Sequence, residues 1–113
     1  MNSTTTKRPW GSFTRFTDNE NSTVKLLNIN KGEQLSLQYH MKRSEFWRVI
    51  SGNPEIIIDE QKYDAKEGDE FNVSAESKHR IGAPYDDVVI LEISKGDFDE
   101  NDIVRLEDKY NRV

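Results

Sequence analysis

The chain has 113 residues, of which 16 are basic and 21 are acidic, with no cysteine and two histidines. This length predicts one domain, residues 1–113, around a single core, and the net charge of −5 without a dense basic segment argues against nucleic acid as a partner. Without cysteine there can be no disulfide, thiolate zinc site or cysteine nucleophile. A transition-metal site would therefore depend on His40 and His79, together with carboxylate or amide oxygens.

The beginning of the chain shows no targeting pattern. Residues 1–9 are polar and rich in threonine, and no apolar run follows them, so we expect no signal peptide and a flexible segment over residues 1–7. The longest apolar runs, such as Val88–Leu91, are far shorter than the roughly 20 residues that span a bilayer. These patterns predict a cytoplasmic protein that does not enter a membrane.

Short runs rich in valine, isoleucine, phenylalanine and tyrosine recur along the chain and are separated by turn-forming residues. No stretch before residue 96 shows a sustained apolar period of 3.6 residues. The pattern is typical of an all-β antiparallel sandwich or barrel. The predicted strands are Ser12–Phe16, Val24–Ile29, Gln34–His40, Phe46–Ser51, Glu55–Ile58, Gln61–Tyr63, Glu70–Val73, His79–Gly82 and Val88–Ser94.

The short tail over residues 97–113 is acidic and has a different apolar spacing. Ile103, Leu106 and Tyr110 are three and four residues apart, which is the spacing of one helix face. We therefore expect a short amphipathic helix, or a turn, docked on the barrel.

Alternation along the predicted strand 34–40 assigns its side chains to two faces. Leu35, Leu37 and Tyr39 are expected on one face, and Gln38 and His40 on the other. A face with an amide beside an imidazole is either solvated or the lining of a polar cavity.

Four side chains could form a metal site. Gln38 and His40 are two residues apart on a strand, Glu45 follows across a short turn, and His79 comes from a distant strand. Imidazole nitrogen and carboxylate oxygen suit zinc, manganese, iron, cobalt or nickel. Each residue alone has a simpler explanation, because a histidine in a strand is more often structural and a glutamate at a strand start is often solvated.

The same residues lie in two ordered motifs. The first reads Gly-x5-Gln-x-His-x4-Glu-x6-Gly from Gly32 to Gly52, and the second runs from Gly68 to His79. Together they resemble the paired motifs of the cupin superfamily, in which histidine is usual at the position of Gln38.

A more specific resemblance comes from three further patterns. The run Gln-x-His-x-x-Arg-Ser-Glu-x-Trp, Arg-Pro-Trp-Gly at residues 8–11 and Asp-Ile-Val-Arg-Leu-Glu-Asp-x-Tyr at residues 102–110 are similar to the type II mannose-6-phosphate isomerase domain. In many relatives this domain follows a mannose-1-phosphate guanylyltransferase domain, which this chain lacks. We therefore expect no nucleotide-sugar synthesis by this chain alone.

The resemblance implies a fold and a cofactor. The fold would be a double-stranded β-helix, the cupin jelly-roll barrel. The cofactor would be a divalent metal ion, with zinc as the first choice and manganese, cobalt, nickel or iron as the others. Its implied ligands are Gln38, His40, Glu45 and His79.

The chain departs from the family pattern near these ligands. Three histidines of the family run Gln-Met-His-His-His-Arg-Ser-Glu-His-Trp are replaced, and the second motif lacks its usual proline, glycine and asparagine. Part of the family's polar pocket is therefore expected to be missing. The substituted positions are Tyr39, Met41, Lys42, Phe46, Ser74, Glu76 and Ala83.

The implied reaction is the interconversion of mannose 6-phosphate and fructose 6-phosphate, in the supply of precursors for polysaccharides and nucleotide sugars. It moves a proton between C1 and C2 through an enediolate. The resemblance makes Arg43 a candidate for a catalytic or charge-stabilising role, and Glu45 and Glu92 are candidates for the base.

The substrate phosphate needs a cation. The basic residues that flank the ligand positions are candidates for it, although solvated turn residues are the simpler interpretation of each: Lys42, Lys78 and Arg80.

Three other functions fit the same residues. The chain could be a sugar- or sugar-phosphate-binding cupin without catalysis, a cupin with other metal chemistry such as dioxygenation or epimerisation, or a metal-free structural module. We also expect a homodimer, because a small β-domain commonly covers its open edge strands with a second copy.

Overall fold

The computed structural model describes residues 3–96, 99 and 101–108, and in these residues it contains eleven strands and no helix. No helix in the described part of the chain could therefore cross a membrane. The strands are β1 (Thr4–Arg8), β2 (Gly11–Arg15), β3 (Ser22–Ile29), β4 (Leu37–Tyr39), β5 (Arg43–Ser51), β6 (Glu55–Ile58), β7 (Gln61–Asp64), β8 (Glu70–Val73), β9 (His79–Gly82), β10 (Val88–Gly96) and β11 (Val104–Glu107).

The strands form three antiparallel sheets. A four-stranded sheet has the order β3-β10-β5-β8, a five-stranded sheet has the order β11-β4-β9-β6-β7, and β1 and β2 form a separate hairpin. The buried apolar cluster takes Trp47, Val49 and Ile90 from the four-stranded sheet and Ile56 and Ile81 from the five-stranded sheet. The core therefore lies between the two larger sheets, as in a jelly roll.

The two central strands of the four-stranded sheet become polar at the same end. In β10 the inward-facing side chain is apolar at Ile90 and carboxylic at Glu92. In β5 the inward-facing side chain is apolar at Trp47 and carboxylic at Glu45. Ile90 pairs with Val49, and Glu92 with Trp47, so the change occurs in neighbouring rows of the sheet. Alternation along strands thus places an apolar core in the middle of the barrel and a buried polar cluster at one end.

Nine of the eleven strands were predicted, with shifts at some ends. The predicted strand 34–40 is shortened to Leu37–Tyr39. Gln34 pairs with Gly82 and Gln38 pairs with His79, so the register shifts by one residue between these two pairs. The shift corrects the expected faces, since Leu35 packs against the core and lines the same cavity as Gln38.

The two chain ends differ from expectation. Residues 104–107 form a strand that pairs with β4 instead of a helix, because the open edge of β4 offers backbone partners to an extended segment. Tyr110, the third residue of the expected helix face, lies outside the described residues. Within the segment expected to be flexible, residues 4–7 pair with β2, as β-branched threonines favour.

Two turns are fixed against each other at the opposite end of the barrel. Gly52 has a φ of 87°, and a Cβ there would lie 2.3 Å from the Asp87 carbonyl oxygen, so only glycine allows this close approach. The Asp86 carboxylate accepts two hydrogen bonds of 2.8 Å from Asn53, one from the backbone N–H and one from the side-chain amide.

Candidate metal centre

Three metal-ligating side chains meet at the polar end of the barrel. His40 follows β4, Glu45 lies in β5 and His79 begins β9, and all three are buried. One ligand atom from each lies within 4.8 Å of the others. The Nε2 atom of His40 is 3.1 Å from Glu45 Oε1, and that of His79 is 3.9 Å from Glu45 Oε2. The arrangement provides two nitrogen donors around one carboxylate.

Each imidazole is held by a backbone carbonyl on its far side. His40 Nδ1 is 2.5 Å from the Asp102 carbonyl oxygen, and His79 Nδ1 is 2.9 Å from that of Ser77. A carbonyl only accepts hydrogen bonds, so both Nδ1 atoms carry a proton, and both Nε2 atoms are directed towards Glu45. This fixed tautomer is typical of metal-ligating histidines.

The Glu45 carboxylate is surrounded by donors. Trp47 Nε1 donates to Oε2 at 2.9 Å, and Arg43 Nε donates to Oε1 at 3.4 Å. Burial alone would raise the pKa of Glu45, but hydrogen bonds with His40 and then Glu92 hold it well below its ordinary value. Glu45 is therefore ionised, as a metal ligand must be.

Unlike the pKa of Glu45, the pKa values of Glu92 and His79 are shifted by burial in the direction that favours their neutral forms. Burial, followed by a hydrogen bond and charge repulsion from Glu45, raises the pKa of Glu92 to about 8. The Glu92 carboxyl is therefore protonated at neutral pH and donates to the Glu45 carboxylate. Burial also lowers the pKa of His79, which favours the neutral imidazole that binds metals.

A cavity of about 150 Å³ opens among these groups. Its lining residues are Lys25, Leu27, Leu35, Gln38, His40, Arg43, Glu45, Trp47, His79, Glu92 and Ile103. All four predicted ligands line it, although the Gln38 amide Nε2 lies 3.4 Å from the Ser36 carbonyl oxygen. The hydroxyl of Ser94, opposite Glu45 in the sheet, is buried without a partner among the described residues. The donor set and its fixed tautomers fit a divalent transition metal.

The predicted catalytic residues also lie in this cavity. Arg43 and Glu92 line it together with Glu45. The Arg43 guanidinium contacts His40 Nε2 at 3.2 Å and donates to the Asp99 carbonyl oxygen at 3.4 Å, so it bridges the ligand cluster and the segment before β11.

The predicted phosphate-binding cations do not line the cavity. Arg80 donates to the Leu35 carbonyl oxygen at 2.9 Å and to Glu107 at 3.1 Å, and so holds β11 in place. It follows His79 directly, and neighbours along a strand point to opposite faces. Lys78 lines a separate surface cavity of about 550 Å³, and Lys42 is exposed on the turn before β5.

Two further residues contribute to the site and were not predicted from the sequence, Lys25 and Asp102. Lys25 lines the cavity, pairs with Glu92 in the sheet and lowers the Glu92 pKa by its charge. Lys25 is two and four residues before Leu27 and Ile29, which face inward, so strand alternation indicates that Lys25 also faces inward. Asp102 acts through its backbone carbonyl on His40, which no side-chain pattern reveals.

The chain resembles known proteins along nearly its whole length. A family model described as mannose-6-phosphate isomerase C-terminal matches residues 1–108. The alginate biosynthesis protein AlgA of Pseudomonas aeruginosa is 34% identical over 108 residues, which cover 94% of this chain and 22% of that protein. The mannose-1-phosphate guanylyltransferase ManC of Salmonella typhimurium is 31% identical, with the same shares covered. The chain thus spans about a fifth of these relatives.

A solved structure supports the fold. A cupin protein from Bacteroides fragilis superposes with a TM-score of 0.61 at 23% identity, covering 66% of this chain and 65% of that one. The likeness confirms the predicted all-β cupin jelly roll.

Proposed function

Because this chain belongs to the mannose-6-phosphate isomerase C-terminal family, we propose that it is a metal-dependent isomerase that interconverts mannose 6-phosphate and fructose 6-phosphate. The observation that carries the proposal is the buried cluster of His40, Glu45 and His79, with both Nε2 atoms directed at the carboxylate. A surface cluster of acidic residues would not have this ordered set of supporting hydrogen bonds.

The ligands would be His40, Glu45 and His79, with Gln38 as the fourth group in the same cavity. A divalent ion held there would act as a Lewis acid towards the carbonyl and hydroxyl oxygens of the sugar. The residues do not select among zinc, manganese, cobalt, nickel and iron, since all accept imidazole and carboxylate ligands.

Glu92 is the residue to which we assign the proton transfer. Among the described residues, it is the one carboxyl besides Glu45 that lines the cavity, and Glu45 is already engaged by Trp47, Arg43 and His40. The carboxylate form of Glu92, the minor form at neutral pH, removes the proton from C2 of the aldose. The resulting acid returns this proton to C1, while the hydroxyl proton passes from O2 to O1. The carboxylate is then restored, so one turnover consumes no net acid or base.

Lys25 replaces Lys42, Lys78 and Arg80 as the assigned phosphate-binding residue. It is half-buried and lines the cavity, and a lysine ammonium is a common ligand of phosphate groups. Arg43 has a positioning role, because its guanidinium contacts both His40 and Glu45.

The substitutions that separate this chain from the family run lie away from the cavity. Met41 and Lys42 are exposed, and Phe46 faces out of the barrel, where its ring packs on Phe16 at 5.5 Å. Replacement of the family histidines at these positions therefore leaves the cavity lining intact. This argues for retained catalysis over a cupin that only binds sugar phosphates.

The test is an isomerase assay with mannose 6-phosphate on protein loaded separately with each of the five metals. We expect turnover with at least one metal. We also expect Lys25→Met to raise KM about 10- to 100-fold, because a hydrogen bond to a charged group contributes about 1.5–3 kcal/mol. Lys78→Met, the matched control, should leave KM unchanged.

Two results would contradict the proposal. Absence of turnover with every metal would reject the isomerase, and calorimetric binding of mannose 6-phosphate in those samples would then favour the binding cupin. Turnover with equal KM in Lys25→Met and Lys78→Met would reject the phosphate assignment alone.

A further inference from the structure

The hairpin of β1 and β2 stands apart from the rest of the fold. It forms its own two-stranded sheet, and none of the residues 4–15 is buried. Among the described residues, no hydrogen bond joins it to the other two sheets, and the ring contact of Phe16 with Phe46 anchors its base. An isolated two-stranded hairpin is marginally stable in water, so this arm needs a surface to pack on.

The tip of the arm is apolar and its flanks are basic. Trp10, in the turn between the two strands, is 73% exposed. The guanidinium groups of Arg8 and Arg15 lie over the Phe13 ring, 5.2 and 5.7 Å from its centre. Residues 4–15 carry three of the 16 basic residues and none of the 21 acidic ones, which leaves 13 basic against 21 acidic residues elsewhere.

An apolar patch on the outside of the four-stranded sheet is exposed in the part of the chain that the structure describes. Val24 and Leu26 are 58% and 62% exposed, and they pair in register with Ile93 and Leu91 of β10. Ile93 itself is buried, whereas its partner Val24 on the edge strand β3 is exposed. The cover of the sheet therefore ends between β10 and β3 in this row. We call Val24, Leu26 and Leu91 the outer patch.

We propose that the arm of each copy of this chain packs on the outer patch of a second copy, with Trp10 against Val24 and Leu26. The arm is basic and the remainder of the chain is acidic, so the arm of one copy is attracted to the acidic remainder of another. The contact is reciprocal: each copy has one arm and one patch, and a two-fold axis satisfies both. An exposed tryptophan beside arginines is the composition of an interface centre. The inference does not depend on the proposed isomerase.

The absence of cysteine allows a direct proximity test. Trp10→Cys combined with Leu26→Cys should give a disulfide-linked dimer under mild oxidation, resolved on a non-reducing gel. The control pairs Trp10→Cys with Tyr85→Cys, because Tyr85 is equally exposed, at 61%, in the loop between β9 and β10. This pair and each single variant should remain largely monomeric on the gel. Equal yields in both pairs, or no dimer in either, would overturn the proposal.

The solution mass provides a second, independent test. Light scattering should give a dimeric mass for the wild-type chain and a monomeric mass for both Trp10→Ser and Leu26→Ser. Tyr85→Ser should remain dimeric. A monomeric wild type, or a dimer that survives both Trp10→Ser and Leu26→Ser, would refute the arm as the interface.

Discussion

His40 and His79 come from distant parts of the chain yet share one local design. Each donates its Nδ1–H to a backbone carbonyl and directs Nε2 at the same carboxylate. A buried ionised carboxylate has to be paired or bound to a metal, because its desolvation is costly. Glu45 tolerates this position because Trp47 and Arg43 donate to it.

Glu92→Gln is the sharpest residue-scale substitution. The amide keeps the size of the side chain and can still donate to Glu45, but it cannot exchange a proton with carbon. We expect kcat to fall about 100-fold or more, with metal content and Tm close to wild type. Steady-state kinetics and elemental analysis on the same sample check this. Turnover within twofold of wild type would remove Glu92 from the proton transfer.

At the scale of elements, β11 closes the barrel beside the cavity. It pairs with β4, and Arg80 reinforces the contact by donating to Leu35 and Glu107. The chain segment just before β11 supplies the Asp102 carbonyl that holds His40. Loss of β11 docking would therefore loosen the candidate metal ligand His40 as well as a sheet edge.

Arg80→Met tests this docking. Methionine keeps an apolar stem but leaves the Leu35 carbonyl without its donor, so the free energy of unfolding should fall by about 1–3 kcal/mol. Urea unfolding measures it, with Arg48→Met as the control, because the Arg48–Glu70 pair is partly exposed and contributes less than about 1 kcal/mol. Equal losses in the two variants would show that β11 does not depend on Arg80.

The link between turns predicts an acid-dependent loss of stability. Hydrogen bonds from the Asn53 backbone and side chain lower the pKa of Asp86 below its ordinary value of 3.8. A carboxyl whose pKa is lower in the folded state stabilises the fold above the unfolded pKa and loses that contribution as the pH falls through the folded pKa. Asp86→Asn should therefore be less stable than wild type at pH 7, and the difference should shrink below about pH 4 in unfolding curves. A difference that is constant with pH would contradict this.

The sequence predicted the elements whose patterns are local and missed what depends on pairing. Period-two runs marked nine strands, whereas β11 has helix-like spacing and becomes a strand only because β4 offers an edge. The spaced motif indicated His40, Glu45 and His79 as candidate ligands, and the fold brings these three side chains together. Closeness in sequence to His79 does not put Arg80 on the same face of the strand, and the Arg80 guanidinium donates to the Leu35 carbonyl oxygen.

At the scale of the whole molecule, the apolar core and the polar cluster occupy successive rows of the same sheets. Trp47 belongs to both, since it packs in the core and donates to Glu45. Binding of a metal at the cluster should therefore stabilise the entire domain rather than a loop.

Metal removal tests that coupling. An ion at 100 times its Kd adds about 2.7 kcal/mol to the free energy of unfolding, which raises Tm by roughly 10 °C for a chain of this size. Calorimetry of chelated and reloaded wild type should show this shift, and His79→Ala should show little of it. A Tm that does not respond to reloading would mean that the cluster holds no ion.

The most direct test measures metal content and mannose 6-phosphate turnover in the same samples of wild type and His79→Ala. We expect one ion per wild-type chain, turnover that is lost on chelation and restored on reloading, and neither ion nor turnover in His79→Ala. Full metal content in His79→Ala, or undiminished turnover by chelated wild type, would contradict this expectation.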